Sequence, residues 1–339
     1  MSQRAWLLCV LCGLYGCVLP DYKVLEDPPK QPLERNTVDM PFGDADCNSC
    51  VKDHCQAEYT DCGETCGEYK WPVSPAWSVP DQADPFVKCL ATQCDAACNV
   101  QWGCVKNYRW PEKDSGYSIT IKVTDALQET RNIEGAKVTA CQGRDPACQV
   151  GMGQESSGTT DASGHVTLAL TRDFVGYFLV EKIADGYVPM IATWSQPAYV
   201  VDNTFTLSLF KPAWIQAMAS QVKVTVQKNV GHVIFKAHNC LPLRYIGGDE
   251  ANADAEDVSV SYTPRSENSS DVVYVQLGLQ IDPAATHTSS QGMGYGGMFN
   301  LSPGAVTLSG SHDGLDVGSA GLPMRADNLG VVFLVPRAR

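Results

Sequence analysis

Apolar and polar residues alternate in short segments from Gly116 to the end of the chain. Successive side chains of a β-strand point to opposite faces, so this alternation predicts strands with one buried face. Gly, Asp and Ser turns separate the segments, an arrangement typical of β-sandwiches. The predicted strands are 118–124, 135–141, 166–170, 177–181, 204–209, 222–226, 232–236, 257–262, 272–275, 297–304, 305–309 and 330–335.

One helical segment interrupts the strands. Apolar residues at helical spacing follow Pro212 and predict a connector helix over 213–220. This helix separates two predicted β modules, 116–212 and 221–339. The predicted fold class is mainly β, with two tandem Ig-like or prealbumin-like β-sandwiches.

The N-terminal segment has a different character. Arg4 precedes an apolar run, Ala5 to Leu14, that is shorter than the roughly 20 residues of a membrane-spanning helix. A basic start, a short apolar run and a small residue before the cleavage site are typical of a secretory signal peptide. Leu14-Tyr15-Gly16-Cys17 resembles the lipobox of bacterial lipoproteins. The resemblance implies a signal peptide over 1–16 and lipidation of Cys17.

The lipoprotein resemblance also implies a location. Val18, rather than Asp, follows Cys17, which implies a lipid-anchored protein of the Gram-negative outer membrane. The lipidated cysteine begins a proline-rich tether, 17–46. An ordinary signal peptide with a chance cysteine remains the alternative.

The region 47–115 is rich in cysteine, with nine of the chain's 15 cysteines between Cys47 and Cys104. In an exported protein this favours disulfides over zinc. Two C-x-x-x-C blocks each place their sulfurs on one helix face, so the region is predicted to be an α-hairpin joined by disulfides. Antiparallel helices invert the order of the cysteines, and Cys141 and Cys148 bracket a short loop. The expected pairs are Cys62 with Cys98, Cys66 with Cys94, Cys55 with Cys104, and Cys141 with Cys148.

Alternatives remain for part of this region. Cys47-x-x-Cys50 is also compatible with half a zinc site or a redox pair, although no thioredoxin-like βαβ pattern follows. The tryptophans Trp71 and Trp77 lie in a proline-rich stretch between the blocks. Together with Trp102 and Trp110, they are expected to fill a small core, with a sugar-stacking platform as the alternative.

The segment 116–212 resembles the carboxypeptidase regulatory-like, or transthyretin-like, domain. The similar elements are Gly135-Ala-Lys-Val138 and the stretch from Thr160 to Leu168, and 221–339 resembles a second, more divergent copy. The resemblance implies a β-sandwich whose motif is not catalytic. His165 lies inside the motif and is expected to be a surface histidine, because no nucleophile is apparent at short range.

The net charge and the absence of known catalytic motifs exclude several classes of function. The formal net charge is −13 and no basic stripe is present, so nucleic acid is not an expected partner. No H-E-x-x-H, G-x-S-x-G or dinucleotide-binding motif occurs, so no catalytic residue is predicted. No cofactor or metal is expected. The acidic stretch 247–257 is interpreted as a solvated loop, with calcium as the alternative, since its spacing does not match an EF-hand.

These observations favour a non-enzymatic cell-envelope lipoprotein, a surface structural or interaction module that presents loops on β-sandwiches. The membrane, through the lipid anchor, and a glycan or an envelope protein are the expected partners. A carbohydrate-binding lipoprotein of starch-binding-like fold is the alternative, and an enzyme or inhibitor is a third. The candidate binding residues are Trp71, Trp77 and Tyr295, the last in a glycine-rich stretch, 290–297.

Overall fold

The computed structural model describes residues 45–63, 66, 84–102, 105, 115–143, 148, 154–195, 204–240, 255–276, 280–289 and 294–336. The expected signal peptide, Cys17, nearly all of the tether, Trp71 and Trp77 lie outside these residues. Within them, no helix combines the length and the hydropathy of a membrane span.

In the described residues of the cysteine-rich region the chain forms short helices: α1 (Ala45–His54), α2 (Gln56–Cys62), α3 (Asp84–Gln93) and α4 (Asp95–Cys98). Cys55 separates α1 from α2 and Cys94 separates α3 from α4, with nearly identical backbone angles (φ −124°, ψ 15° and 13°). The pair α1–α2 and the pair α3–α4 pack around a small core that includes the Tyr59 and Phe86 rings, whose centroids are 5.1 Å apart. Such a small core needs covalent support.

The disulfides supply that support in antiparallel order, but with a different register from the predicted one. The bonds are Cys47–Cys98, Cys50–Cys94, Cys55–Cys89 and Cys62–Cys66. The expected Cys62–Cys98, Cys66–Cys94 and Cys55–Cys104 pairs are therefore wrong. Helix α2 ends at Cys62, and Gly63 (φ 60°) turns the chain out of the helix, so Cys66 does not share a helix face with Cys62.

The described remainder is built mainly of β-strands, as the predicted fold class requires. The helix α5 (Pro212–Gln221) forms where the connector was predicted. The strands are β1 (Tyr117–Asp125), β2 (Gln128–Asn132), β3 (Lys137–Gln142), β4 (Gln154–Thr159), β5 (His165–Leu170), β6 (Gly176–Glu181), β7 (Met190–Trp194), β8 (Thr204–Leu209), β9 (Gly231–Ala237), β10 (Ser259–Thr263), β11 (Val273–Gln276), β12 (Gln280–Asp282), β13 (Tyr295–Leu301), β14 (Gly304–His312), β15 (Leu315–Met324) and β16 (Leu329–Leu334).

Among the described residues, nine strands form one continuous central sheet in the order β12-β11-β13-β9-β16-β7-β6-β3-β4. The C-terminal strand β16 pairs in parallel with β7 of the first module and with β9 of the second. Its sequence is apolar on both faces, as is typical of a strand in the interior of a covered sheet. The two sandwiches therefore share a sheet, which the sequence did not predict.

A second layer covers each face of the central sheet. An upper sheet of β2, β1, β5 and β8 packs on one face, where it contacts Phe178 and Val180 of β6. A lower sheet of β10, β14 and β15 packs on the opposite face, where it contacts Tyr177 and Leu179 of the same strand. Because side chains alternate along β6, one strand contributes to both cores. The architecture is three-layered.

Helix α5 covers the part of the upper face that the upper sheet leaves open. Its Ile215 and Ala219 are buried against β9, β13 and β16. The segment 222–226, predicted as a strand, is not one in the structure. Its alternating valines pack beside α5, and the Val224 amide donates to the Ala219 carbonyl (2.9 Å) instead of joining a sheet.

Candidate functional site

The joint between the two β modules is held by side chains as well as by strand pairing. The Trp194 and Phe333 rings stack with centroids 5.2 Å apart and planes 10° apart. Beyond this pair, the Val335 amide donates to Ser195 Oγ (2.7 Å), and the Ser195 hydroxyl donates to the Val335 carbonyl (3.0 Å). The C-terminal strand is thereby fixed to the first module beyond its last paired residue.

The cysteine-rich region is docked on the second module. The Gln101 amide and side chain donate to the Asp95 carboxylate (3.0 and 2.8 Å), while the Gln101 carbonyl accepts from the Cys240 amide (2.8 Å). The Trp102 indole stacks on His312 of β14, with centroids 4.1 Å apart. Gln101 therefore bridges α4 to the end of β9.

The structure places a serine beside His165, contrary to the expectation of no nearby nucleophile. Ser163 Oγ lies 2.8 Å from His165 Nδ1 and 2.6 Å from Asp161 Oδ1. Asp161 also accepts from the Ser163 and His165 amides (2.9 and 3.0 Å). The hydrogen bond from the Ser163 hydroxyl is the main cause that holds the pKa of Asp161 below its usual value.

Asp161, Ser163 and His165 stabilise a turn, and their hydrogen bonds do not activate Ser163 as a nucleophile. A nucleophilic serine donates its proton to the base, whereas an ionised carboxylate can only accept, so the Ser163 hydroxyl donates to Asp161. Gly164 at φ 79° completes the turn; a Cβ there would meet the Val123 carbonyl at 2.7 Å. The Asp161 cluster thus shapes the start of β5.

The other described histidines also have structural surroundings. The His232 Nδ1 accepts from the Asn300 amide (3.3 Å), and burial lowers the pKa of His232. His238 lies against Phe333, and burial lowers its pKa well below the usual value. His287 contacts Asp257 (3.2 Å). Among the described residues, no cluster of three or more His, Cys, Asp or Glu could hold a metal ion.

The cysteine motifs give neither a zinc nor a redox pair. Cys47 and Cys50 are bonded to different partners on α4 and at its start. Cys141 is bonded to Cys148, and Cys240 is also in a disulfide. These cysteines are therefore structural.

The acidic stretch is described only at its end, 255–257. The Ala255 carbonyl accepts from the Thr288 hydroxyl (2.6 Å), and the Asp257 amide donates to the Thr288 carbonyl (2.9 Å). This end of the loop is tied to 287–288; 247–254 lie outside the described residues.

Tyr295 lies on β13, not on a free loop. It pairs with Lys236 of β9, and the Lys236 Nζ lies 5.0 Å from the centre of the Tyr295 ring. The glycines at the end of the glycine-rich stretch lie on the same strand and allow close packing. A Cβ on Gly297 would lie 2.7 Å from the Val233 carbonyl oxygen.

Tyr295 and Lys236 face a cavity of about 160 Å³ between β8, α5 and the upper face of the central sheet. Its wall is mostly apolar and includes Met218, Ile234 and Val331. We call this space the α5 cavity. It is the concave site that the sequence pattern alone did not indicate, although Tyr295 was one of the candidate residues.

No exposed aromatic platform is present among the described residues. The large hydrophobic side chains that are exposed there are Leu127, Val175 and Ile183. Trp102, one of the four tryptophans of the cysteine-rich region, is buried and stacks on His312.

No protein-family model and no curated protein matches the chain. The Bacillus anthracis TIE protein is 13% identical with a TM-score of 0.18, and the match covers 66% of this chain and 34% of that one. Shaft pilin SpaA from Lactobacillus rhamnosus GG is 12% identical (TM-score 0.19; 66% and 98% covered). A streptococcal ancillary pilin is 14% identical (TM-score 0.20; 68% and 65% covered). At these TM-scores, no conclusion about fold or function rests on the matches.

Proposed function

We propose that the protein is a non-enzymatic cell-envelope lipoprotein that holds its loops and its cysteine-rich region in fixed positions at the cell surface. The observation that carries this proposal is the insertion of β16 between β7 and β9. Because one strand belongs to the sheet of both modules, the modules do not move as independent domains joined by a flexible linker. The result is a rigid body suited to presenting binding surfaces.

The docking of the cysteine-rich region supports the same function. The contacts of Gln101 and Trp102 fix this region on the second module, and its disulfides hold the helices with little core. Disulfide density of this kind suits an exported protein. Binding function concentrates in loops on such rigid scaffolds.

The anchor is part of the proposal. Lipidation of Cys17 would attach the chain to the outer membrane, and the proline-rich tether would hold the body away from the lipid. Each buried methylene contributes about 0.8 kcal/mol, so several acyl chains give stable attachment.

Fractionation of cells that express Cys17→Ser tests the anchor, with Cys9→Ser as the matched control within the signal. The variant Cys17→Ser is expected to leave the membrane fraction, while Cys9→Ser stays. Labelling of intact cells with a membrane-impermeant amine reagent is expected to modify the unaltered protein. Salt-resistant membrane association of Cys17→Ser, or labelling only after cell lysis, would contradict the proposal.

A further inference from the structure

The α5 cavity has the volume of a small-molecule site. It measures about 160 Å³, and most of the residues that line it are aliphatic or aromatic. Apolar cavities of about 150 Å³ accept a benzene ring. Ile234 and Val331 of the central sheet and Met218 of α5 line the cavity, and each is only half-buried. The cavity therefore has room for one ring with a short substituent.

The polar side chains of β9 lie at the two ends of this cavity. His232, Ile234 and Lys236 are alternate residues of β9, so their side chains share one face of the central sheet, and all three line the cavity. Four residues of a strand span about 13 Å, which separates His232 from Lys236. Lys236 and Tyr295 contact each other and have further interactions, so no ligand contact is assigned to either.

His232 supplies a hydrogen-bond donor at its end of the cavity. The residue is 6% exposed, and its Nδ1 accepts from the Asn300 amide (3.3 Å). Burial lowers the pKa of His232, so the ring is neutral near pH 7 and carries its proton on Nε2. No described residue accepts a hydrogen bond from Nε2. Because buried donors are normally paired, this one indicates a place for the acceptor of a bound molecule.

We propose that the α5 cavity binds a small neutral molecule made of one ring or a short hydrocarbon chain with one oxygen acceptor, such as a ketone or an ester. The hydrocarbon part lies among Ile234, Val331 and Met218, and the oxygen accepts from His232 Nε2. The apolar walls select against charged molecules, because burial of an unpaired charge is costly. The site does not depend on the proposed surface-presentation function, since its walls are mainly strands and α5.

Two probes of the same shape separate the oxygen contact from the apolar contacts. Acetophenone carries a carbonyl oxygen where α-methylstyrene carries a methylene group. The full chain is used as Cys17→Ser, so that no detergent enters the cavity, and binding is measured by titration calorimetry and saturation-transfer NMR. Both probes are expected to bind. No binding of acetophenone to this protein would overturn the proposal.

Two substitutions of His232 test the role of Nε2. His232→Asn keeps an acceptor for the Asn300 amide but does not reach the position of Nε2, whereas His232→Gln places its amide group near that position. His232→Asn is expected to weaken acetophenone about fivefold or more and to leave α-methylstyrene unchanged. His232→Gln should retain most of the acetophenone affinity. Equal losses for both probes in His232→Asn, or no loss of acetophenone affinity, would refute the oxygen contact.

A third substitution tests the location of the ligand. Val331→Phe fills the cavity and is expected to weaken both probes at least tenfold. Val175→Phe makes the same change at a valine that is 73% exposed and should weaken neither. Circular dichroism confirms folding, and Ile234→Phe replaces Val331→Phe if the latter does not fold. Unchanged affinity for both probes in the filled variant would place their binding outside the α5 cavity and refute the site.

Discussion

The indole of Trp194 stacks on the ring of Phe333, with the ring centroids 5.2 Å apart. Trp194 ends β7 of the first β module, and Phe333 belongs to the strand that closes the second. The contact marks the place where the last strand of the chain completes the central sheet. It makes the stability of either module depend on the other.

Truncation of β16 at a buried position should therefore destabilise both modules together. Val332→Ala removes two methyl groups from a side chain with no exposed surface, which is expected to cost about 2 kcal/mol. Val175→Ala, at a valine that is 73% exposed, is the matched control and should change stability by less than about 0.5 kcal/mol. Calorimetry and hydrogen exchange measure both. Faster exchange confined to the second module would show that the modules are independent.

Stability should fall as the pH drops below neutrality, in part because of His232. Burial lowers its pKa in the folded protein, so the unfolded chain binds more protons as the pH falls through the unfolded value of roughly 6.5. This stability is present above that pH and is lost on acidification towards the folded pKa. Protonation of Nδ1 would also break its bond from the Asn300 amide.

Urea unfolding of His232→Gln at pH 7 and pH 5 measures that contribution. The variant is expected to lose less stability between these pH values than the unaltered protein. His54→Gln, at an exposed histidine of α1, is the control. An unchanged pH dependence in His232→Gln would contradict the assignment.

Disulfides that close a long loop and a short loop in the cysteine-rich region should differ in how much they stabilise the fold. Cys50–Cys94 closes a sequence separation of 44 residues and Cys62–Cys66 one of 4. The loop-entropy relation gives about 4 kcal/mol for the first and about 2 kcal/mol for the second. Paired Cys→Ser variants, measured by thermal unfolding, are expected to follow that order. A larger loss from removal of Cys62–Cys66 would contradict the observed register.

Peptide mapping without reduction tests the whole set. It should find Cys47–Cys98, Cys50–Cys94, Cys55–Cys89, Cys62–Cys66 and Cys141–Cys148. After the tether, these pairs account for every cysteine except Cys104 and Cys240. Cys240 is also in a disulfide. We expect the map to join Cys104 to Cys240; a peptide that joins Cys55 to Cys104 would restore the register predicted from sequence.

Loss of the Trp102 stack should loosen the docking of the cysteine-rich region. Trp102→Ala removes a buried indole and is expected to cost about 3 kcal/mol of stability. Hydrogen exchange should then increase in α4 and at His312 in β14. Trp102→Phe, which keeps a stacking ring, should restore much of the protection. Unchanged exchange in Trp102→Ala would show that the stack does not hold the region.

The sequence located strands of two kinds: those that alternate in polarity, and those that form a short continuous apolar run, such as β6 and β16. The alternation around Ile119 and Ile121 located β1, and that around Phe205 and Leu207 located β8. Strand β7 was missed because it has no alternation, being buried on both faces, and because its apolar run, Met190-Ile-Ala192, ends after three residues at Thr193. The pairing of β16 with β7 is a contact between distant segments that periodicity does not encode.

The disulfide register was ambiguous for a similar reason. The spacing of Cys55, Cys62 and Cys66 nearly matches that of Cys104, Cys98 and Cys94 read in the opposite direction. The cysteines that do pair, Cys47, Cys50 and Cys55 with Cys98, Cys94 and Cys89, match almost equally well. The deciding feature is the end of α2 at Gly63, a glycine with positive φ. Likewise Tyr295 was recognised as a candidate binding residue, but its place on the cavity wall follows from its pairing with Lys236.

Distances between spin labels on the two modules test the central claim, that they form one rigid body. The labels are attached at Val175→Cys and Ser261→Cys, which are exposed positions on the first and second modules. Pulsed electron resonance is expected to give one narrow distance distribution, as narrow as that of a Val175→Cys and Glu134→Cys pair within the first module. A broad or multiple distribution for the pair across the modules would contradict the account.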